Sequence, residues 1–231
     1  MIEIKNLVKK YDEHLIFNNI NLSIDKNKIT IILGKSGCGK TTLLRLISGL
    51  EKYDSGEILL PNLKCSYIFQ EPRLLPWLTV FENIKLVNEN LSTDEINKLI
   101  TMINLDKFGN SYPNELSGGM KSRVNLARAF AYKPNYLLMD EPFSSLDDFT
   151  RIKMQQELLK LYNKEKCGIL FVTHNIDEAL MLADKIIVLK SGKIYSTYSI
   201  NSKIRDLLSD DFINLKRKIR DDIWRLWWKE L

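Results

Sequence analysis

Cysteine, proline and long apolar runs are all scarce in this chain. Its 231 residues include three cysteines and six prolines. The cysteines, at positions 38, 65 and 167, lack metal-ligand spacing, and an odd number without a secretory signal indicates a reducing compartment. The first residues alternate as a strand would, which differs from a targeting peptide. No apolar stretch approaches the roughly 20 residues that a membrane-spanning helix needs. We therefore expect any membrane role to depend on a partner.

The charge of the chain is mildly basic and widely distributed. The formal net charge is +5, and lysines and arginines are interleaved with acids apart from a short cluster at residues 216–218. This distribution argues against a dedicated nucleic-acid surface, and no nucleic-acid partner is expected. It is compatible with work near an anionic membrane face. The length and the 45% hydrophobic content suit one large α/β domain.

A glycine-rich stretch has the pattern of a phosphate-binding loop, namely Gly, four residues, then Gly-Lys-Ser/Thr. An apolar run at residues 29–33 precedes it as a strand would, and residues 43–47 continue as a helix. Lys40 is expected to reach the β- and γ-phosphates of a nucleotide, and the Thr41 hydroxyl to bind Mg²⁺. The nucleotide-binding stretch consists of Gly34, Lys35, Ser36, Gly37, Cys38, Gly39, Lys40, Thr41 and Thr42.

Apolar strands that alternate with helices predict a mainly parallel sheet buried on both faces. Residues 136–139, 168–172 and 185–189 are the continuous apolar runs, and residues 65–69 form a further predicted strand. Residues 2–31 alternate as short strands with turns at 11–14 and 25–27, whereas residues 71–131 are mostly helical, with one helix predicted over 93–103.

Two further stretches have polar groups suited to nucleotide chemistry. Asp140 and Glu141 follow an apolar strand, where the first carboxylate can hold Mg²⁺ and the second can deprotonate an attacking water. An acidic turn at the end of a buried strand is the alternative. Ser117, Gly118 and Gly119 precede a helix predicted from about residue 121 to 130, and they either bind an anion or simply cap that helix.

These motifs, in this order and spacing, closely resemble the ATP-binding cassette family over the whole chain. The phosphate loop resembles its Walker A motif and residues 136–141 its Walker B motif. Residues 116–120 resemble the LSGGQ signature, with Met120 in place of Gln. Gln70 resembles the Q-loop glutamine, and Asp147 resembles the D-loop aspartate. His174 resembles the switch histidine, and Tyr11 the aromatic residue that stacks on adenine.

The resemblance implies an α/β fold with a P-loop NTPase core, in which a mainly parallel sheet is flanked by helices. It also implies an N-terminal antiparallel β subdomain and an inserted α-helical subdomain. Within a single nucleotide-binding domain spanning 1–231, the predicted ATP-binding core covers 1–70 and 126–202. The predicted helical signature subdomain covers 71–125, and a C-terminal helical tail covers 203–231.

The resemblance also implies roles for individual residues. ATP and Mg²⁺ are the expected cofactors, with Thr41, Gln70 and Asp140 as metal ligands. Glu141 is the expected catalytic base, assisted by His174 and Gln70. Two copies of the chain are expected to hold two ATP molecules head to tail. Each copy then presents its signature residues to the nucleotide of the other, and Asp147 couples the two sites.

Residues 70–84 resemble the ATPases of bacterial importers for nitrate, taurine and aliphatic sulfonates. Two differences weaken the choice of solute, because that branch commonly has Gly-Ala where this chain has Ser144-Ser145, and Asp where it has Asn175. Importers of thiamine precursors or other small molecules therefore stay open. The expected function is an ATP-hydrolysing importer subunit at the cytoplasmic face of the cell membrane. Its expected partners are a membrane permease and, indirectly, an extracytoplasmic solute-binding protein. The alternative is a non-transport cassette ATPase acting on nucleic acid or the ribosome.

Two tryptophan-containing segments have open interpretations. Pro72 and Pro76 prevent a continuous helix after Gln70, so that Trp77 either meets a coupling helix of the permease or packs inward. In the tail, the apolar stripe Ile204, Leu208, Phe212, Leu215 and Ile219 predicts a helix that could be interrupted near residues 210–211. The tryptophans at 224, 227 and 228 suit either a membrane interface or packing on the core of the same chain.

Overall fold

The computed structural model describes residues 1–60, 64–200 and 209–224, except for the side chain of residue 224. They belong to two units, one formed by Met1–Leu63 with Gly168–Leu231 and the other by Lys64–Cys167. The domain boundaries expected from the sequence stay a prediction. None of the helices in the described ranges is long and apolar enough to span a membrane.

The chain begins in the first unit, crosses the second and returns to the first. Its first segment contains β1 (Ile2–Tyr11), β2 (His14–Ile24), β3 (Ile29–Leu33), α1 (Lys40–Ile47) and β4 (Ser55–Leu59). The second unit contains β5 (Cys65–Ile68), α2 (Val80–Lys85), α3 (Thr93–Met102), short 3₁₀ turns at Asp106–Phe108 and Pro113–Glu115, α4 (Gly118–Ala131), β6 (Tyr136–Asp140) and α5 (Asp148–Glu165). The last segment contains β7 (Gly168–Thr173), α6 (Ile176–Leu182), β8 (Lys185–Lys190), β9 (Lys193–Ser199) and α7 (Asp210–Trp224).

The first unit contains an antiparallel sheet in the order β2-β1-β4. Ile4 lies at its centre, opposite Leu22 on one side and Ile58 on the other. Alternate residues of β1 are buried over its first three positions, as a sheet with one covered face requires. The tight turn between β1 and β2 has Asp12 at φ 50°, a conformation that Asp tolerates well. The predicted N-terminal antiparallel β subdomain is confirmed.

The first unit also contains four strands in the order β7-β3-β8-β9. β3 is parallel to β7 and β8, whereas β9 is antiparallel to β8. Every residue of β3 and β7 is buried and most are apolar, as expected for parallel strands that are covered on both faces. Leu33 pairs with Thr173, and the segments that follow β3 and β7 therefore leave the same edge of the sheet. The predicted α/β class is confirmed.

The second unit combines a parallel pair of strands with helices. β5 and β6 pair from Cys65 opposite Tyr136 to Ile68 opposite Met139. α4 packs against β5 and against α2, α3 and α5. The helix predicted over 93–103 is observed as α3, which begins with a capping box in which Ser92 and Glu95 satisfy each other's backbone N–H groups.

One sequence-based boundary requires correction. α4 begins at Gly118, three residues before the predicted start, because the Ser117 side chain caps the helix and places both glycines in its first turn. α7 begins at Asp210, so that Asp210 and Asp211 form its first turn, where carboxylates are favourable. The interruption considered near these residues stays a prediction, because residues 201–208 lie outside the described residues. Residues 204, 208, 227 and 228 lie outside the described residues.

The described part of α7 packs on the first unit. Phe212 and Ile219 are buried. The Tyr198 hydroxyl donates a hydrogen bond to Asp222, and Lys216 pairs with Asp177 at 2.6 Å. Packing on the chain's own core is therefore the arrangement of this part of the tail.

Candidate functional site

The phosphate loop connects the end of β3 to the start of α1. Gly37 and Gly39 adopt positive φ angles of 80° and 104°, which favour glycine. A Cβ on Gly39 would lie only 2.8 Å from the Phe17 ring, so a side chain is excluded there for a second reason. The Lys40 ammonium is buried and donates to the carbonyls of Gly34 and Lys35 at 2.9 and 3.0 Å. The loop therefore folds around its own lysine at a helix N-terminus, an arrangement that favours anions.

His174 follows β7 in the same way as the phosphate loop follows β3. The backbone N–H of Gly34 donates to the Thr173 carbonyl at 3.3 Å, which fixes the loop beside the residue that precedes His174. Asn175 caps α6 by accepting a hydrogen bond from the Glu178 N–H. The parallel register of two buried strands thus brings the phosphate loop and His174 to one edge of the sheet.

Tyr11 ends β1 and belongs to a charged cluster that the sequence did not indicate. Tyr11 is 41% exposed, and the Lys9 ammonium lies 4.5 Å from its ring centroid. Lys9 pairs with Glu51 at 2.9 Å and also donates to the Lys52 carbonyl at 2.9 Å. Partial burial, followed by a hydrogen bond with Glu51, raises the pKa of Tyr11, and a weaker hydrogen bond with Thr42 opposes that shift.

The Lys9–Glu51 pair is electrostatically favourable. The hydrogen bond to Glu51 raises the pKa of Lys9 despite burial. Burial works against the ionised form of Glu51, but hydrogen bonds from Tyr11 and Lys9 together lower its pKa. Both groups are therefore held in their charged forms next to the Tyr11 ring, whose hydroxyl is hydrogen-bonded to Glu51 and Thr42. Thr42 links this cluster to the phosphate loop.

The acidic pair lies in the second unit, at the end of β6. Asp140 is buried and accepts a hydrogen bond from the Tyr67 hydroxyl at 3.0 Å. Glu141 has φ 43°, a left-handed conformation that is uncommon for a residue other than glycine. The Glu141 carbonyl accepts from both the N–H and the hydroxyl of Ser144, at 3.2 and 2.9 Å.

Gln70 joins this acidic turn through a side chain. Its amide Nε2 donates to the Ser144 hydroxyl oxygen at 3.2 Å. Because β5 and β6 are parallel neighbours, Gln70 and the Asp140–Glu141 pair leave the same edge of the pair of strands. The structure thus brings together three of the predicted residues and adds Ser144, which the sequence marked only as a departure from related chains.

The signature residues and the D-loop aspartate adjoin each other within the second unit. The Ser117 hydroxyl accepts from the Met120 N–H at 3.3 Å and caps α4. A Cβ on Gly119 would meet the Thr150 methyl group at 2.9 Å, whereas one on Gly118 would meet nothing within 4 Å. Asp147 caps α5 by accepting from the Thr150 N–H at 2.9 Å, and hydrogen bonds from Thr150 lower the pKa of Asp147.

The predicted site residues are divided between the two units. Tyr11, the phosphate loop and His174 belong to the first, and Gln70, Ser117–Gly119, Asp140, Glu141 and Asp147 to the second. The described residues contain no cluster of three or more His, Cys, Asp or Glu side chains that could hold a metal. The donors available, a threonine hydroxyl, one aspartate and one glutamine amide, suit Mg²⁺, which usually takes few protein ligands and several from phosphate and water.

Comparison with known proteins gives consistent relatives over most of the chain. A family model described as ABC transporter matches residues 17–144. The aliphatic sulfonates import ATP-binding protein SsuB of Bacillus cereus (strain ATCC 10987 / NRS 248) is 41% identical over 217 residues, covering 88% of this chain and 86% of that protein. An uncharacterized ABC transporter ATP-binding protein of Methanocaldococcus jannaschii is 39% identical over 238 residues, covering 94% and 89%. The dimeric ATP-binding cassette MJ0796, solved in a post-hydrolysis state with ADP and Pi, superposes with a TM-score of 0.76 at 31% identity, covering 87% of this chain and 100% of that one.

Proposed function

This chain belongs to the ABC transporter family, and we propose from that premise that it is the ATP-binding and ATP-hydrolysing subunit of an importer. The observation that carries the proposal is the phosphate loop, which has two glycines at positive φ and a buried lysine at the start of α1. A small solute of the sulfonate, taurine or nitrate type is the proposed cargo, because relatives of about 40% identity are named as sulfonate import proteins. The alternative of a non-transport ATPase finds no support among these relatives.

In this proposal the nucleotide is ATP, held by the phosphate loop and Lys40, with Tyr11 stacked on adenine. Mg²⁺ is held by Thr41, Asp140 and Gln70, all through oxygen atoms, as this ion prefers. When bound, it neutralises the charge that develops on the transferred phosphoryl group. The buried position of Asp140 and its hydrogen bond from Tyr67 hold that carboxylate in one orientation.

Glu141 is the proposed general base, and His174 the residue that contacts the γ-phosphate and the attacking water. The backbone of Glu141 is fixed by two hydrogen bonds from Ser144, and this limits where its carboxylate can reach. A second copy of the chain supplies Ser117, Gly118 and Gly119 to the γ-phosphate, and its Asp147 couples the two sites. The dimeric state of a solved relative with ADP and Pi supports this arrangement.

Two variants test the ATPase assignment. Glu141→Gln keeps the size of the side chain and removes the base, so we expect ATP binding to persist while turnover falls about 10²- to 10⁴-fold. Lys40→Ala should instead weaken nucleotide binding. Both are measured by phosphate release and by equilibrium binding of a fluorescent ATP analogue. Near-normal turnover in the Glu141 variant would remove that residue from the role of base.

A permease is the proposed membrane partner. Binding to the permease would hold the subunit at the cytoplasmic face of the membrane and couple it indirectly to a solute-binding protein. The support comes from Trp77, which is 68% exposed and follows two prolines. The Arg73 guanidinium lies 4.1 Å from the centroid of the Phe69 ring and covers part of that ring. Trp77 is therefore the most exposed aromatic residue between residues 69 and 81. An exposed tryptophan of this kind is a typical anchor in a protein interface.

Co-purification tests this partner. Trp77→Ala should weaken binding to the permease encoded in the same host by about tenfold or more, with ATP affinity unchanged. Tyr195→Ala removes a comparably exposed aromatic side chain from the other unit and serves as the matched control. Equal recovery of the permease by both variants and the unaltered protein would contradict the assignment of this surface.

A further inference from the structure

Ser144 connects the Q-loop glutamine to the acidic turn, although nothing in the family motifs assigns it a role. Its hydroxyl lies 2.9 Å from the Glu141 carbonyl oxygen and 3.2 Å from the Gln70 amide nitrogen. All three groups belong to the second unit. The bond to Gln70 joins residues 74 positions apart in the sequence, and the bond to Glu141 joins residues three positions apart.

The number of protons at this junction determines the orientation of the Gln70 amide. A serine hydroxyl has one hydrogen to donate, and the Glu141 carbonyl can only accept. The hydroxyl hydrogen is therefore used on Glu141, and Ser144 can only accept from Gln70. The group that Gln70 turns towards Ser144 must then be its NH₂ and not its carbonyl oxygen.

The amide oxygen is consequently directed away from Ser144. A metal ion binds to the oxygen of a glutamine amide and is repelled by its NH₂ group, so an amide in the opposite orientation cannot act as a ligand. We propose that Ser144 is a positioning residue of the Mg²⁺ site, which selects the amide orientation of Gln70 that presents oxygen to the metal. This inference rests on the proposed function, since it takes Gln70 and Asp140 as metal ligands.

The size of the effect follows from the exposure of the junction. Gln70 and Ser144 are both exposed to solvent, and a neutral hydrogen bond in such a position contributes about 1 kcal/mol. Its loss therefore corresponds to about a three- to tenfold change in metal affinity. Ser144 does not touch the nucleotide in this scheme, so metal-free binding of ATP should not depend on it.

The test measures Mn²⁺, a spectroscopic substitute for Mg²⁺, bound to the full chain with a non-hydrolysable ATP analogue. In Ser144→Ala we expect the Mn²⁺ dissociation constant to rise three- to tenfold, while the analogue binds equally well in the presence of a chelator. Ser144→Thr retains the hydroxyl and should restore the metal affinity. In a Gln70→Ala background, Ser144→Ala should cause no further change, because the group that it orients is absent.

Three results would overturn the inference. The first is an unchanged Mn²⁺ dissociation constant in Ser144→Ala, and the second is an equal loss of nucleotide affinity with and without metal, which indicates a general structural effect. The third is full additivity with Gln70→Ala. Nucleotide binding by the unaltered protein distinguishes these three results from a failure of the proposed function. An unaltered chain that binds neither ATP nor the analogue would refute that function directly.

Discussion

Replacing Lys9 by methionine tests whether the charged cluster beside Tyr11 positions a platform for the adenine base. Methionine keeps an unbranched apolar stem of similar length but removes the ammonium. The variant therefore loses the 2.9 Å pair with Glu51 and the cation 4.5 Å from the Tyr11 ring. The hydrogen bond between Tyr11 and Glu51 does not involve Lys9 and can persist.

The expected loss is moderate. A cation over an aromatic ring contributes about 0.5–1 kcal/mol at an exposed site and about 2 kcal/mol when it is desolvated. The Lys9 side chain is 11% exposed, whereas Tyr11 as a whole is 41% exposed, so an intermediate value of about 1 kcal/mol is appropriate. If the ring must stay in place to stack on adenine, ATP affinity should fall by about fivefold.

The assay compares a ligand that has a base with one that has none. ATP and inorganic tripolyphosphate are each titrated directly into the protein by calorimetry, and only the first can use the Tyr11 ring. In Lys9→Met we expect weaker binding of ATP and unchanged binding of tripolyphosphate. Lys10→Met is the matched control, because Lys10 is the exposed neighbour on β1 and uses its backbone N–H, not its side chain, to bind Asp54.

Two results would refute this reasoning. Unchanged ATP affinity in Lys9→Met would show that the ring keeps its position without the ammonium, or that it does not contact the base. An equal loss for ATP and tripolyphosphate would show that the cluster acts on the phosphate loop through Thr42.

Two further predictions concern stability. Gly119→Ala should destabilise the protein by about 1–3 kcal/mol, because its Cβ would crowd the Thr150 methyl group at 2.9 Å. Gly118→Ala places its Cβ in open space and should not destabilise the protein. Thermal unfolding of the two variants tests this, and equal melting temperatures would contradict the packing argument. Hydrogen bonds from Ser92 and the nearby Lys133 lower the pKa of Glu95 to about 2. The ionised carboxylate therefore contributes stability above pH 4.5, the pKa in the unfolded chain, and this contribution is lost as the pH falls towards 2. The stabilities of Glu95→Gln, which keeps the capping box, and of the unaltered protein should therefore converge over that range in urea titrations, and parallel curves would refute the assignment.

Local patterns made the phosphate loop and its flanking elements predictable. The glycines at 37 and 39 and the largely apolar β3 are signals contained within about ten residues, and each has a conformational cause. The start of α4 was missed by three residues because glycine has a low helix propensity, and the cap provided by Ser117 outweighs it. The interruption considered near residues 210–211 stays a prediction, because α7 begins at Asp210 and residues 201–208 lie outside the described residues.

The contacts that assemble the site could not be predicted from the sequence. Lys9 and Glu51 meet because α1 is followed by a return towards β1, and Gln70 reaches Ser144 only through the parallel pairing of β5 and β6. Neither pair leaves a periodic signal. The orientation of Trp77 was likewise undecided, since two prolines determine that the backbone bends but not which way a ring then points.

The backbone of Glu141 has a consequence for engineering and for evolution. At φ 43° this position favours glycine, and a glycine there would relieve about 1 kcal/mol of conformational strain. A search for thermostable variants would accordingly favour a substitution that deletes the proposed catalytic base. In the proposed mechanism that glycine would remove the general base, so variants of this turn should be ranked by turnover before they are ranked by melting temperature.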